Sequence, residues 1–153
     1  MGKMNMTRVI LGGIVAGIII DACEGVINGV VLQRQWADAF TALGKSPLLS
    51  VKQIVALNIW GLAVGILTIW LYAAIRPRYG AGPRTAICAG LAMWAPAFAL
   101  ASAVPVFFHI YPVNLSVVSV ALEAIEMILA GLAGAAIYKE NEANVPRSAA
   151  ARA

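Results

Sequence analysis

A chain of 153 residues that is 61% hydrophobic, 12% charged and has a mean hydropathy of +0.85 is far more apolar than a soluble domain of its size. Long apolar runs leave little chain for a water-soluble domain. The net charge of +4 and pI near 9.4 are therefore read as basic loops meeting a lipid surface, not as a nucleic-acid interface.

A span needs roughly 20 mainly apolar residues to cross a hydrocarbon core about 30 Å thick. Four segments qualify: Val9 to Leu32, Val51 to Ile75, Thr85 to Phe108 and Val117 to Tyr138. The first is too long for the apolar region of a cleaved signal peptide and carries acids before it ends, so it reads as a retained span. Cys23 and Cys88 lie in apolar surroundings and read as buried thiols.

After the first span, "QRQWADAFTALGKSP" places Trp36, Phe40 and Leu43 on one helical face, with Arg34, Asp38 and Lys45 roughly opposite and a stop at Gly44 to Pro47. The pattern predicts a short amphipathic helix in the outer interface, as an anchor rather than a lid. The second loop, "IRPRYGAGPRT", lacks the spacing of a phosphate-binding loop and reads as a tight basic turn. Gly13 with Gly17 and Gly61 with Gly65 form GxxxG patterns, and Gly131 and Gly134 put small residues on the last helix. Such residues serve close helix packing within a bundle or between copies of the chain. Trp94, Pro96 and Pro105 suit a kinked third span.

Eight of the eleven basic residues fall at the N-terminus (Lys3, Arg8), in the second loop (Arg76, Arg78, Arg84) and after the fourth span (Lys139, Arg147, Arg152). By the positive-inside rule both termini are expected in the cytoplasm. The expected protein is all-α and polytopic: a four-transmembrane-helix bundle with a short interfacial helix in the first loop. It forms a single domain over residues 1–140, followed by a disordered cytoplasmic tail over 141–153.

Four of the seven acidic residues lie inside the spans: Asp21 and Glu24 in the first, Glu123 and Glu126 in the fourth. Each charged side chain at the bilayer centre costs at least about 2.5 kcal/mol on insertion scales. At 100° per residue, Asp21, Glu24 and Asn28 share an arc of roughly 60°, and Ser116, Ser119, Glu123 and Glu126 one of roughly 80°. With both termini inside, a rise of about 1.5 Å per residue stacks Asp21 with Glu126 and Glu24 with Glu123, at roughly 18 and 22 Å from the cytoplasmic ends. This predicts a four-carboxylate cluster near the midplane, assisted by Asn28 and Asn58. Ser102, His109, Ser116 and Ser119 would line a polar vestibule outside it.

No lysine or arginine lies at that depth, so the acids require protons or a bound cation. An oxygen-rich set suits a divalent cation such as Ca²⁺, Mg²⁺ or Mn²⁺, with Asp21, Glu24, Glu123 and Glu126 as candidate ligands. The Glu-x-x-His pairs of di-iron bundles are missing, and His109 is the single histidine. No nucleophile with an adjacent base is visible, so an enzyme is not expected. The leading expectation is a proton- or cation-binding cluster in a transporter or channel component. The alternative is a structural or accessory subunit of a larger membrane complex, or a homo-oligomer, in which the carboxylates serve as interhelical hydrogen-bonding groups.

The stretch "NIWGLAVGILTIWLYAAIRPRYGAGPRTAICAGLAMW", with "GGIVAG...EGVINGVVL" and "AGLAGAAIYKE", resembles a widespread group of small bacterial four-helix integral membrane proteins of uncharacterised function. The likeness covers most of Val9 to Glu140. It implies a bacterial inner-membrane location and matching polar positions at Glu24, Asn28 and Glu126, with Asp21 and Glu123 as additions in this chain. It implies no activity.

Overall fold

The computed structural model describes residues 4–140, so the expected tail over 141–153, together with Lys3, Arg147 and Arg152, lies outside the described residues. Four helices are long and apolar enough to cross a membrane: α1 (Met6–Val31), α3 (Val51–Tyr79), α4 (Pro83–Phe107) and α5 (Val113–Ile137). A shorter helix, α2 (Gln33–Ala42), follows α1 almost without a break. The all-α four-helix architecture is the expected one.

Helix ends follow local chemistry. Asn5 opens α1 by accepting the Arg8 amide at 3.2 Å, and Ser50 opens α3 through a reciprocal capping box with Gln53. α3 runs a turn past the expected Ile75, through Pro77 to Tyr79, because Gly80 (φ 85°) ends it with its amide on the Arg76 carbonyl at 2.8 Å. Gly82 (φ 135°) then takes a backbone conformation closed to side chains, and Pro83 starts α4 where its missing amide costs nothing. α5 begins four residues before the expected Val117, directly after Pro112.

Two helices contain π-helical turns, Ile27–Val31 at the end of α1 and Ala95–Leu100 within α4. The second includes Pro96, which removes a backbone donor and so favours a change in hydrogen-bond register. Trp94 donates its indole N–H to the Val120 carbonyl of α5 at 2.9 Å just before this turn. The proline-disturbed third span is thus tied to the fourth.

The helices form a ring in which α1 packs on α3 and α5, and α4 packs on α3 and α5. Their closest approaches are at glycines. A Cβ at Gly65 would stand 2.6 Å from the Gly13 carbonyl oxygen, one at Gly17 2.6 Å from Leu62 Cα, and one at Gly131 2.9 Å from the Ala86 carbonyl oxygen. The GxxxG glycines of α1 and α3 are therefore consumed inside the bundle and leave no such seam for a second copy.

At the end of the bundle that holds Met4 and Glu140, the rings of Tyr72 and Tyr138 meet edge to face at 5.9 Å. The Arg76 guanidinium lies 5.4 Å from the Tyr138 ring centroid, and Arg76 forms an ion pair with Glu140 at 3.8 Å. Tyr72 accepts the Gly82 amide and Tyr138 the Asn5 amide, each at 3.4 Å. The basic turn and both described chain ends are gathered there. At the opposite end the bundle opens, and every residue from Val51 to Trp60 on α3 is exposed.

Candidate functional site

The two polar stripes expected on the first and last spans meet between α1 and α5. Glu24 lies within electrostatic range of Asp21, Glu123 and Glu126, and Glu126 within range of Asp21, Glu24 and Glu123. Glu123 is 6% exposed and Glu126 1%. Asp21 is half-buried and leans on α3, where its carboxylate oxygen fills the space that a side chain at Gly61 would need. The stack is therefore less regular than two even rungs, with Asp21 on its α3 flank.

Hydrogen bonds lead out of the cluster toward α2. The Asn28 amide donates to Glu24 Oε2, and Asn28 Oδ1 accepts the Trp36 indole N–H at 2.8 Å. Ser119 Oγ lies 2.8 Å from Glu123 Oε1 and 3.4 Å from Asn28 Oδ1. Serine has one hydroxyl proton for these two acceptors. The Ser119 hydroxyl donates to Glu123 Oε1 over the shorter distance, with Asn28 Oδ1 at the longer one. One polar chain then links Glu123, Ser119, Asn28 and Trp36.

Glu126 stands outside that chain. Both of its carboxylate oxygens are buried without a hydrogen-bond partner, and so is Glu123 Oε2. Between Lys52 and Tyr72 on α3, and between Cys88 and His109 on α4, the sequence carries no titratable group. The cluster therefore faces no basic side chain from the other two spans.

The remaining expected residues are not brought to the cluster. Asn58 is exposed and donates to the Ile54 carbonyl of its own helix at 2.8 Å. His109 is exposed in the α4–α5 turn with φ 55°. Ser102 and Ser116 both line a separate groove of about 570 Å³ between α4 and α5. Of the expected vestibule residues, Ser119 alone joins the carboxylates.

The short amphipathic helix expected in the first loop is present as α2 and packs on the start of α5. Leu32, Ala39 and Leu115 form a small buried core with Trp36 and Tyr111 against it, and the rings of Trp36 and Phe40 meet Tyr111 edge-on at 5.2 and 6.3 Å. Its apolar face is turned onto the start of α5, with Leu43 left exposed. Gly44 (φ 66°) ends it as the loop sequence implies. Trp36 is thus a site residue that the sequence reading missed, although its position eight residues after Asn28, with no glycine or proline after Gly29, was the available signal.

Among the described residues, no three His, Cys, Asp or Glu side chains converge closely enough to hold a metal ion. No protein-family model, curated protein or solved structure matches the chain.

Proposed function

We propose that this is a multi-pass membrane protein whose buried carboxylate cluster takes up and releases protons, as part of a transporter or channel. Its location is the bacterial inner membrane, suggested by the resemblance of its sequence, with both termini in the cytoplasm beside Arg8, Arg76, Arg78, Arg84 and Lys139. The observation that carries the reading is Glu126: a carboxylate 1% exposed, with neither oxygen hydrogen-bonded and three further acids around it. An ionised carboxylate in such a place requires a paired charge, and a protonated one does not. A proton is a counter-charge that needs no ligand shell.

The same atoms weigh against carboxylates as interhelical hydrogen-bonding groups. The partners of Glu24 and Glu123 are Asn28 and Ser119, each on the same helix as the acid it binds. The one side-chain bond that crosses from α1 to α5 in this cluster joins Ser119 and Asn28, not a carboxylate. A group retained to hold helices together would be expected to bond across them.

The test is proton movement in vesicles containing the reconstituted protein and a trapped pH indicator, driven by a potassium diffusion potential. Wild type is expected to move protons, and Glu126→Gln, still inserted and helical, to lose most of that flux. Equal flux in both would overturn the reading. Elemental analysis of protein purified without chelator is expected to find no stoichiometric divalent metal; a metal lost in the quadruple Asp21→Asn, Glu24→Gln, Glu123→Gln, Glu126→Gln variant would replace protons with a cation.

A further inference from the structure

Trp36, Asn28 and Glu24 form a hydrogen-bonded series whose first member can only donate. An indole N–H has no acceptor to offer, whereas a side-chain amide has a donor end and an acceptor end that change places by a half-turn of the amide plane. Trp36 donates to Asn28 Oδ1 at 2.8 Å. With its oxygen turned to Trp36, Asn28 presents its amide nitrogen to Glu24 Oε2. That nitrogen carries donors alone, so Glu24 Oε2 must accept. The reversed amide would present its oxygen to Glu24 and would instead accept the O–H of a protonated carboxyl.

The place of Trp36 is set by contacts that involve no carboxylate. Its ring meets Tyr111 at 5.2 Å and Phe40 at 6.0 Å, and it packs on the buried group of Leu32, Ala39 and Leu115. The donor is thus fixed by the seating of α2 on the start of α5.

We propose that Trp36 is a positioning residue for proton release: by pinning the Asn28 amide, the seated α2 holds Glu24 to a donor and favours its carboxylate over its carboxyl. The inference rests on the proton-binding reading above and names a control on the same site. The proton lost by Glu24 goes to solvent, and Asn28 keeps both of its own. Without the indole N–H the amide is free to turn and to accept from a protonated Glu24, so the carboxyl persists to higher pH. The titratable groups around Glu24 are Asp21 and Cys23 on its own helix and Glu123 and Glu126 on α5. On α2, Arg34 and Asp38 are exposed, and Tyr111 meets the Trp36 ring; α3 and α4 carry no titratable group at that depth.

The experiment is infrared titration of the full chain in detergent, with the Glu24 carboxyl band assigned by its loss in Glu24→Gln. In Trp36→Phe the pH of half-protonation of Glu24 is expected to rise by about one unit. Replacement of Trp36 by benzothienylalanine, which keeps the shape of the side chain and lacks the N–H, is expected to give the same rise. In an Asn28→Ala background, Trp36→Phe is expected to add no further shift, because no amide is left to pin. A tryptophan that serves packing alone would change the melting temperature and leave the titration where it was. An unmoved Glu24 band in both Trp36 variants, or an equal shift in the Asn28→Ala background, overturns the proposal. Titration of the Glu126 carboxyl in the same samples would then leave the proton-binding reading intact, and absence of titration from all four acids would overturn both.

Discussion

The indole N–H of Trp36 donates to Asn28 Oδ1 at 2.8 Å, and this bond fastens α2 to the Asn28 end of the carboxylate cluster. Asn28 lies in the π-helical turn of α1, so the same residue that steadies Glu24 also receives the overlying helix. A movement of α2 therefore bears directly on a carboxylate's hydrogen-bond partner.

Trp36→Phe keeps the ring against Tyr111 and removes the donor. A net loss of about 0.5 to 1.5 kcal/mol is expected from one such bond. Hydrogen exchange should quicken across residues 33–42 while the amides of α1 before Val26 keep their protection. Unchanged exchange in α2 would mean that the contacts among Leu32, Ala39 and Leu115 hold it unaided.

The glycines make a sharper prediction because neighbouring positions should behave oppositely. Gly65→Ala places a methyl 2.6 Å from the Gly13 carbonyl oxygen, so α1 and α3 must separate along their closest contact. The expected loss is about 1 to 3 kcal/mol, the usual range for overpacking, read as a lower melting temperature in detergent. Gly25→Ala meets nothing within 4 Å and is expected to be neutral or stabilising by up to about 1 kcal/mol. Equal effects of the two would contradict the packing described.

That packing also explains which parts of the site were legible in the sequence. Period and spacing alone put Asp21, Glu24, Asn28, Ser119, Glu123 and Glu126 on two facing stripes, since a regular helix in lipid must turn such groups inward. The same count failed for Asn58, because it assumed that all four helices stay in contact over their whole length. The glycines that draw α3 to α1 are Gly61 and Gly65, so the part of α3 before them diverges and Asn58 has no bundle to face. Ser102 follows a π-helical turn that shifts the register of α4, and with Ser116 it lines a different groove. The amphipathic pattern of α2 was legible, but an apolar face is satisfied equally by lipid and by protein, and only the fold assigns Trp36 to Asn28.

Ser119→Ala tests the hydrogen-bonded chain between Glu123 and Asn28. It removes the partner of Glu123 Oε1 and leaves that carboxyl buried with neither oxygen bonded. A destabilisation of about 1 to 3 kcal/mol is expected from the orphaned group, and proton movement should slow if the Ser119 hydroxyl passes protons to and from Glu123. Ser116→Ala, in the other groove, is the control that should leave proton movement unaltered. Equal slowing in both variants would deny Ser119 a part in the path.

The cluster itself should show opposite effects on stability and on function at one position. Glu126 is buried with both oxygens unpartnered, a condition that lowers stability whichever protonation state it adopts. Leucine has a similar volume and no polar atom, and the residues that line the lateral groove beside Glu126 are mostly aliphatic. Glu126→Leu is therefore expected to raise the melting temperature in detergent, by the equivalent of about 1 to 3 kcal/mol for one unsatisfied polar group removed, while abolishing proton uptake. A carboxyl retained for structure would give the reverse result, because its replacement would break an interaction that stabilises the fold. A lower melting temperature in Glu126→Leu with full proton movement would sink the functional assignment, and a higher one with lost movement would identify Glu126 as a group kept at a cost to the fold.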